Sequence, residues 1–354
     1  MLFRSGVVVR NVGIRVRGRA SRSATKPGLV IDFNRYVNGQ TFLGLKSLVL
    51  DNNWQDPSMM HERLSMLVFG RMGIAAPRET YARLYIGADK EYLGVYSIVE
   101  AIDKAFLLRT LQESDGHLYE YKNLDPYHFE DRDQDLRWFA DRFEPRTHES
   151  ESTWSLYSPI KDLVRTINVQ SSERMLDELP EYLDLRQVAT LLAVQNVLSQ
   201  KDGLVGVFGM ANFYLYRYQS KRMFQFIPWD QDLAFDDMTL GPTDRLDTNI
   251  LTARMWDTPA LRELYLDALA RAQRVIDEPA ECDTSEGVRG CTWLERQVDV
   301  AYGQIRDAVY ADPAVPYAPE AFEQAVDVLR TFGTQRGAVL GPFMQQFAPA
   351  TVVR

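Results

Sequence analysis

Cysteine and histidine are scarce in this 354-residue sequence, which holds two cysteines and four scattered histidines. Zinc sites are built from clustered cysteine and histidine ligands, so this composition argues against a zinc-binding protein. The two cysteines, Cys282 and Cys291, flank a short polar loop. The spacing leaves two interpretations open: a local disulfide in an oxidising compartment, or two unpaired thiols.

Long apolar runs are also missing. No stretch is long enough to cross a membrane, and the first residues lack the apolar core of a signal peptide, so we expect neither feature. The net charge of −9 argues against wholesale nucleic-acid binding. A G-x-x-x-x-G-K-[ST] motif is absent, which excludes a P-loop nucleoside triphosphatase. The apolar share of 45% is typical of a soluble globular protein.

The pattern that is present changes character near residue 100. Before it, strand-like alternation predicts a β-rich unit with one helix. After it, apolar residues recur at helical spacing, and the charged stretch 123–152 is interpreted as a surface excursion. The sequence therefore predicts an α+β fold. The predicted strands are 7–19, 29–33, 42–50, 80–86, 92–99, 212–218 and 223–229, and the helices are 57–72, 104–111, 184–200, 258–277, 292–311 and 319–340.

Polar residues gather around the two strands predicted after residue 210. Asp202 lies in a glycine-rich loop that follows a helix, and Asn212 opens the first strand. Asp230 and Asp232 follow the second strand, and their side chains point to one side of the sheet because they are two residues apart. Carboxylate and amide oxygens suit Mg²⁺, so this order predicts a divalent-cation site. Solvated turn residues are the alternative.

Cations gather near the N-terminus. Arg15, Arg17 and Arg19 alternate with apolar residues and so share one face of the first predicted strand. Arginine side chains and loop N–H groups in this arrangement can hold a phosphate. A solvated basic face is the alternative that the pattern leaves open.

Lys46 and Glu62 have the order of a known ion pair. Lys46 falls in the third predicted strand, and Glu62 falls in the helix that follows it. This order suits a lysine that a glutamate holds on a nucleotide phosphate. Two unrelated surface residues would give the same pattern.

Several sequence segments, taken together, resemble the motifs of one protein family. The most specific are Val-Glu-Ala-Ile-Asp-Lys at 99–104, Asn-Phe-Tyr-Leu-Tyr-Arg at 212–217 and Ile-Pro-Trp-Asp-Gln-Asp-Leu at 227–233. The further matching segments are 12–21, 26–33, 45–50 and 59–64. With these segments the chain resembles, over nearly its whole length, the CotH family of spore-coat and cell-surface proteins, whose members resemble atypical protein kinases.

The resemblance implies a two-lobed protein-kinase-like fold. It implies a single domain over residues 1–345, with a β-rich N-lobe at 7–103 and a mainly helical C-lobe at 104–345. The implied activity is ATP-dependent phosphorylation, with Mg²⁺ or Mn²⁺, of serine or threonine in Ser-rich segments of protein substrates. A spore coat, a cell surface or a secreted location is implied as well.

The resemblance also assigns nucleotide contacts. Glu100 belongs to the segment that would join the lobes and hold adenine. Either Lys26 or Lys46 would be the phosphate-binding lysine, together with the arginines of the first strand. The sequence alone leaves the choice between the two lysines open.

By position, Asp202 resembles the catalytic aspartate, while Asp230 and Asn212 resemble metal ligands. Their joint presence favours a kinase over the runner-up, a non-catalytic coat or surface binding protein with the same fold. A third interpretation is a metal-dependent phosphoesterase built on Asp230 and Asp232. That interpretation leaves the predicted lysine–glutamate pair without a role.

Overall fold

The computed structural model describes residues 7–18, 21–133, 135–169, 172–285 and 287–347. In chain order its first elements are β1 Gly13–Arg17, β2 Gly28–Asp32, β3 Ser47–Asp51, α1 His61–Arg71, β4 Glu79–Ile86 and β5 Glu91–Glu100. The strands form one antiparallel sheet of five strands in the order β1-β2-β3-β5-β4. We call these elements the first half of the chain.

The second half is mainly helical. Its elements are α2 Lys104–Leu111, β6 His117–Tyr121, α3 Leu136–Arg142, β7 Phe143–Pro145, α4 Thr153–Ile167, α5 Ser172–Glu178, α6 Leu185–Val197, β8 Phe213–Arg217, β9 Phe224–Pro228, α7 Ile250–Asp257, α8 Pro259–Asp277, β10 Pro279–Thr284, β11 Gly287–Thr292, α9 Trp293–Tyr310 and α10 Pro319–Gln346. A four-stranded antiparallel sheet runs in the order β7-β6-β8-β9, and β10 pairs with β11. The predicted α+β class is confirmed. Among the described residues, no helix combines the length and apolarity that crossing a membrane requires.

Aspartate caps fix where two of these helices begin. The carboxylate of Asp184 accepts hydrogen bonds from the backbone N–H groups of Arg186 and Gln187 at the start of α6. Asp103 caps α2 in the same way. In α6 every residue from 188 to 197 is buried, as expected for a helix that is surrounded by other elements. The loop that carries Asp202 follows this helix.

The stretch 123–152 is not the surface excursion that its composition predicts. It contains α3 and β7, and Tyr127, Phe129 and Phe139 are fully buried. Most of its charged residues occupy exposed positions, although Arg142 is buried, so the average composition conceals a buried face.

Helix α1 begins later than predicted. The carboxylate of Asp56 accepts hydrogen bonds from the backbone N–H groups of Met60 at 2.7 Å and His61 at 2.8 Å. It therefore serves the start of the helix as expected. Pro57, however, lies before the first turn, because the helix starts at His61.

The hairpin β10–β11 is an element that the sequence pattern does not predict. Cys282 and Cys291 form a disulfide across it, with 5.9 Å between their Cα atoms. Of the two interpretations of these cysteines, the structure has the disulfide. The bond closes a short hairpin whose side chains are mostly exposed.

A buried ion pair ties the end of α9 to the five-stranded sheet. Lys26 Nζ lies 2.7 Å from Asp312 Oδ2, and both side chains are fully buried. Asp312 also accepts a hydrogen bond from the N–H of Val95 at 2.9 Å. A Cβ atom at Gly94 would lie 2.4 Å from Asp312 Oδ2, so this close approach requires glycine.

We expect Lys26→Met to lower the free energy of unfolding by about 3–5 kcal/mol, because it leaves the Asp312 carboxylate buried without its cation. Urea unfolding followed by circular dichroism measures the change. The matched control is Lys46→Met at an exposed position, with an expected change within about 0.5 kcal/mol. Equal, small changes in both variants would show that the buried pair contributes little.

Candidate active site

A cleft of about 1260 Å³ is lined by residues from both halves of the chain. The first half contributes the cationic residues Arg15, Arg17, Arg22 and Lys46. The second half contributes four residues predicted as metal ligands or base: Asp202, Asn212, Asp230 and Asp232. The structure therefore brings together in one cleft residues that lie more than two hundred positions apart in the sequence.

Asp202 is held by the loop that follows α6. Its Oδ2 accepts a hydrogen bond from Asn212 Nδ2 at 2.7 Å, and its backbone carbonyl accepts a second one from the same nitrogen at 3.2 Å. Its Oδ1 is buried and has no hydrogen-bond partner in the described part of the chain. A Cβ atom at Gly206 would lie 2.6 Å from the Asp202 Cα, so the loop can pass this close only with glycine there.

Asn212 and Asp230 lie at the same end of the β8–β9 hairpin. The N–H of Trp229 donates to the Asn212 carbonyl at 3.1 Å, just beyond the last strand pair. Asn212 and Asp230 both have a left-handed backbone conformation, with φ of 58° and 53°. Asparagine and aspartate tolerate this conformation better than most residues, and such positions concentrate at functional sites.

Asp202, Asp230 and Asp232 resist ionisation. Burial raises the pKa of Asp202 to about 7, repulsion from Asp230 adds to the rise, and the hydrogen bond from Asn212 opposes it. Burial also raises the pKa of Asp230 to about 6, although attraction to Arg17 opposes this rise. Burial and repulsion from the other two carboxylates raise the pKa of Asp232. Burial is therefore the main reason that the ionised forms of these three carboxyls are disfavoured, and a cation bound beside them would favour those forms.

Arg17 is a cation of the first half that reaches this acidic group. Burial alone lowers its pKa, but attraction to Asp230, Asp51 and Glu62 outweighs that effect and raises it. Its Nη1 lies 3.5 Å from Asp51 Oδ2, and its guanidinium lies 5.5 Å from the centre of the Trp229 ring. Arg17 is thus held in place from both halves of the chain.

The predicted ion pair between Lys46 and Glu62 is not formed in this structure. Lys46 is exposed at the cleft, and no ion pair within the described ranges joins it to Glu62. Glu62 is buried, which raises its pKa, and repulsion from Glu79 and Asp230 adds to the rise while Arg17 opposes it. Glu62 therefore lies within electrostatic reach of Arg17, but no ion pair among the described residues joins the two.

The structure places the other predicted nucleotide contacts as follows. Lys26 is fully buried against Asp312, so it is not available to a phosphate in the cleft. Glu100 accepts a hydrogen bond from Arg109 Nε at 3.0 Å and is not among the residues that line the cleft. The adjoining residues 101–104 do line it. Arg19 lies outside the described residues.

Sequence reasoning missed two acids close to this site. Asp51 ends β3, where it contacts Arg17. Glu120 lines the cleft from β6 and accepts hydrogen bonds from Lys122 at 2.6 Å and from the Tyr214 hydroxyl at 3.2 Å. The available signal for Glu120 was a lone acid in the apolar and aromatic run His117–Tyr121.

A second cluster of possible metal ligands has unsuitable geometry. His117, His148 and Glu151 bring one ligand atom each within 4.8 Å of the others. The two imidazole rings are stacked, however, with centroids 4.3 Å apart and planes inclined by 20°. An imidazole binds a metal in its ring plane, and two stacked planes do not share a nearby point. Arg217 Nη2 also lies 2.9 Å from His117 Nδ1.

Comparison with known proteins decides the family. The family described as CotH kinase protein matches residues 14–340. The chain belongs to the CotH family. It is 25% identical to the inner spore coat protein H of Bacillus subtilis (strain 168) over 340 residues, which cover 93% of this chain and 86% of that protein. The resemblance seen in the sequence motifs is thereby confirmed.

Among solved structures, the chain is similar to a Shewanella oneidensis MR-1 complex of the toxin–antitoxin proteins HipA and HipB with operator DNA. The TM-score is 0.36 at 11% sequence identity, and the match covers 92% of this chain and 61% of that one. This chain thus spans under two thirds of the length of the matched chain. A likeness at this level carries no argument about fold or function.

We expect Mg²⁺ to raise the melting temperature more at pH 8 than at pH 5. The folded pKa values of Asp230 and Asp202, about 6 and about 7, lie above those of an unfolded chain. Raising the pH from the unfolded pKa values toward the folded ones therefore ionises carboxyls whose charge the fold disfavours, and this lowers the stability of the fold. A bound cation offsets the repulsion only where the carboxyls are ionised.

Differential scanning fluorimetry with and without Mg²⁺ measures the two shifts. Asp230→Asn is the matched variant, because it removes one ionisable group with little change in shape. It should reduce the shift at pH 8. A shift of the same size at both pH values would show that Mg²⁺ does not bind these carboxyls.

Proposed function

We propose that this cleft binds ATP with Mg²⁺ or Mn²⁺ and transfers the γ-phosphoryl group to a serine or threonine hydroxyl of a protein. The observation that carries the proposal is the charge arrangement. Three carboxyls with raised pKa values share the cleft with Arg15, Arg17 and Lys46. A triphosphate with its divalent cation brings both complementary charges. The description of the matched family, CotH kinase protein, supports the same activity.

Asp230, Asp232 and Asn212 would hold the divalent cation. The Asn212 amide nitrogen is engaged by Asp202, which leaves its Oδ1 available as a ligand. The unpartnered Oδ1 of Asp202 adds a further oxygen to the same cleft. When bound, such a cation neutralises phosphate charge and favours the ionised form of nearby carboxyls.

Arg17 would hold the phosphates together with Arg15 and Lys46. Arg17 suits this role because Asp51 and Trp229 hold its guanidinium in place, and a fixed planar donor can bind two phosphate oxygens at once. The apolar part of the cleft would hold adenine. Its lining includes Val16, Val30, Val49, Ala101 and Ile102.

Asp202 would accept the proton of the substrate hydroxyl. The hydroxyl oxygen bonds to the γ-phosphorus, the bond from that phosphorus to the leaving ADP oxygen breaks, and the proton passes to the Asp202 carboxylate. Burial brings the pKa of Asp202 to about 7, close to the range in which a general base works well at neutral pH. The other groups act by positioning and charge neutralisation.

The two halves would correspond to the lobes of one kinase-like domain, 7–103 and 104–345, with the cleft between them. The relative named inner spore coat protein H supports a location in the spore coat or on another cell surface. Ser-rich segments of coat or surface proteins would then be the substrates.

Two isosteric variants separate the proposed roles. Asp202→Asn should lower transfer of label from ATP to a Ser-rich peptide by about 100-fold or more while ATP and Mg²⁺ still bind, because a base acts only in the transfer step. Asp230→Asn should also weaken Mg²⁺-dependent ATP binding. Scintillation counting of labelled peptide measures transfer, and isothermal titration calorimetry measures binding.

The control is Asp283→Asn on the exposed hairpin β10–β11, which should change neither quantity. Full transfer by Asp202→Asn would move the role of base to Asp232. ATP binding by the unmodified protein without transfer to any serine acceptor would favour the non-catalytic binding protein.

A further inference from the structure

His61, in the first turn of α1, contacts the segment 230–235, which carries two candidate metal ligands and is called the metal segment below. Its Nδ1 lies 2.9 Å from the backbone carbonyl oxygen of Asp232. A carbonyl oxygen only accepts, so Nδ1 carries the hydrogen of this bond. The ring also packs on Phe235, with 5.3 Å between centroids, and Nε2 lies 3.4 Å from Asp56 Oδ1.

The second half of the chain supplies the other backbone hydrogen bonds of this segment. The N–H of Lys201 donates to the Leu233 carbonyl at 3.1 Å, and the N–H of Phe235 donates to the Leu198 carbonyl at 2.6 Å. The bond from His61 instead arrives from α1. It therefore links the metal segment to the half of the chain that carries Arg17.

The residue after His61 faces the same site. Glu62 is buried and interacts electrostatically with both Arg17 and Asp230. One turn of α1 thus contacts the backbone of the metal segment through His61 and interacts electrostatically with Arg17 through Glu62. A displacement of the Asp232 backbone would move its carboxylate relative to both.

We propose that His61 is a positioning residue for the metal ligands: its Nδ1–H fixes the Asp232 carbonyl and thereby orients Asp230 and Asp232 toward a shared divalent cation. The inference rests on the proposed function for the presence of that cation. His61 itself touches neither the cation nor the reacting atoms. Substitution of a residue that orients a metal ligand typically lowers the affinity for the metal by roughly 10- to 100-fold.

Two substitutions separate the hydrogen bond from the ring packing. His61→Phe keeps a ring against Phe235 and removes the donor. His61→Asn removes the ring and keeps an N–H donor close to the position of Nδ1. Binding of Mn²⁺, in the presence of a non-hydrolysable ATP analogue, is measured by electron paramagnetic resonance, which does not depend on turnover.

We expect His61→Phe to weaken Mn²⁺ binding by roughly 10-fold and His61→Asn to retain most of the affinity. In transfer assays kcat should fall in His61→Phe while the KM for peptide changes little. Should His61→Phe fail to fold, His61→Gln also lacks a donor at Nδ1 and should show the same loss.

The inference is overturned when His61→Phe binds Mn²⁺ as the unmodified protein does. It is equally overturned when His61→Asn loses the affinity and His61→Phe keeps it, because ring packing would then be the cause. Absence of Mn²⁺ binding in the unmodified protein is a different result. It overturns the metal site of the proposed function, and the role of His61 with it.

Discussion

The structure depends on a group of half-buried carboxyls that the fold keeps close together. Asp202, Asp230 and Asp232 all have raised pKa values, because burial and mutual repulsion disfavour their ionised forms. A buried charge that loses its partner typically costs about 3–5 kcal/mol. Arg17 offsets only part of this repulsion. A divalent cation bound to these carboxyls would offset the rest, which is the physical reason for assigning one to the cleft.

A buried arginine supports both ends of the segment that carries these carboxyls. Arg336 of α10 is fully buried and donates hydrogen bonds to four backbone carbonyls, those of Asn196 at 3.0 Å, Val197 at 3.1 Å, Met238 at 2.8 Å and Leu240 at 2.7 Å. These carbonyls lie on either side of the segment that carries the site. The C-terminal helix, which contributes no residue to the cleft lining, thereby supports the geometry of the cleft.

Local patterns predicted elements well, and contacts between elements poorly. The cap at Asp184 and the hairpin around 219–222 follow from neighbouring residues, so the sequence predicts both. The surroundings of Glu62 depend on how α1 packs against the sheet, which spacing along the chain does not encode. Periodicity therefore pointed to Lys46, whereas in the structure Glu62 is buried within electrostatic reach of Glu79 and Arg17. The sequence does indicate Asn212, Asp230 and Asp232, because they flank one hairpin, and Asp202, because it lies in the glycine-rich loop that follows a helix.

The central claim is that the acidic cluster and the cationic strand form one site for a metal and a triphosphate. The most direct test is a crystal structure with Mn²⁺ and a non-hydrolysable ATP analogue, using the anomalous signal of manganese. We predict a manganese peak in contact with Asp230 and the Asn212 side-chain oxygen, and phosphate density against Arg17. Nucleotide bound outside the cleft, or manganese bound away from these residues, would contradict the claim.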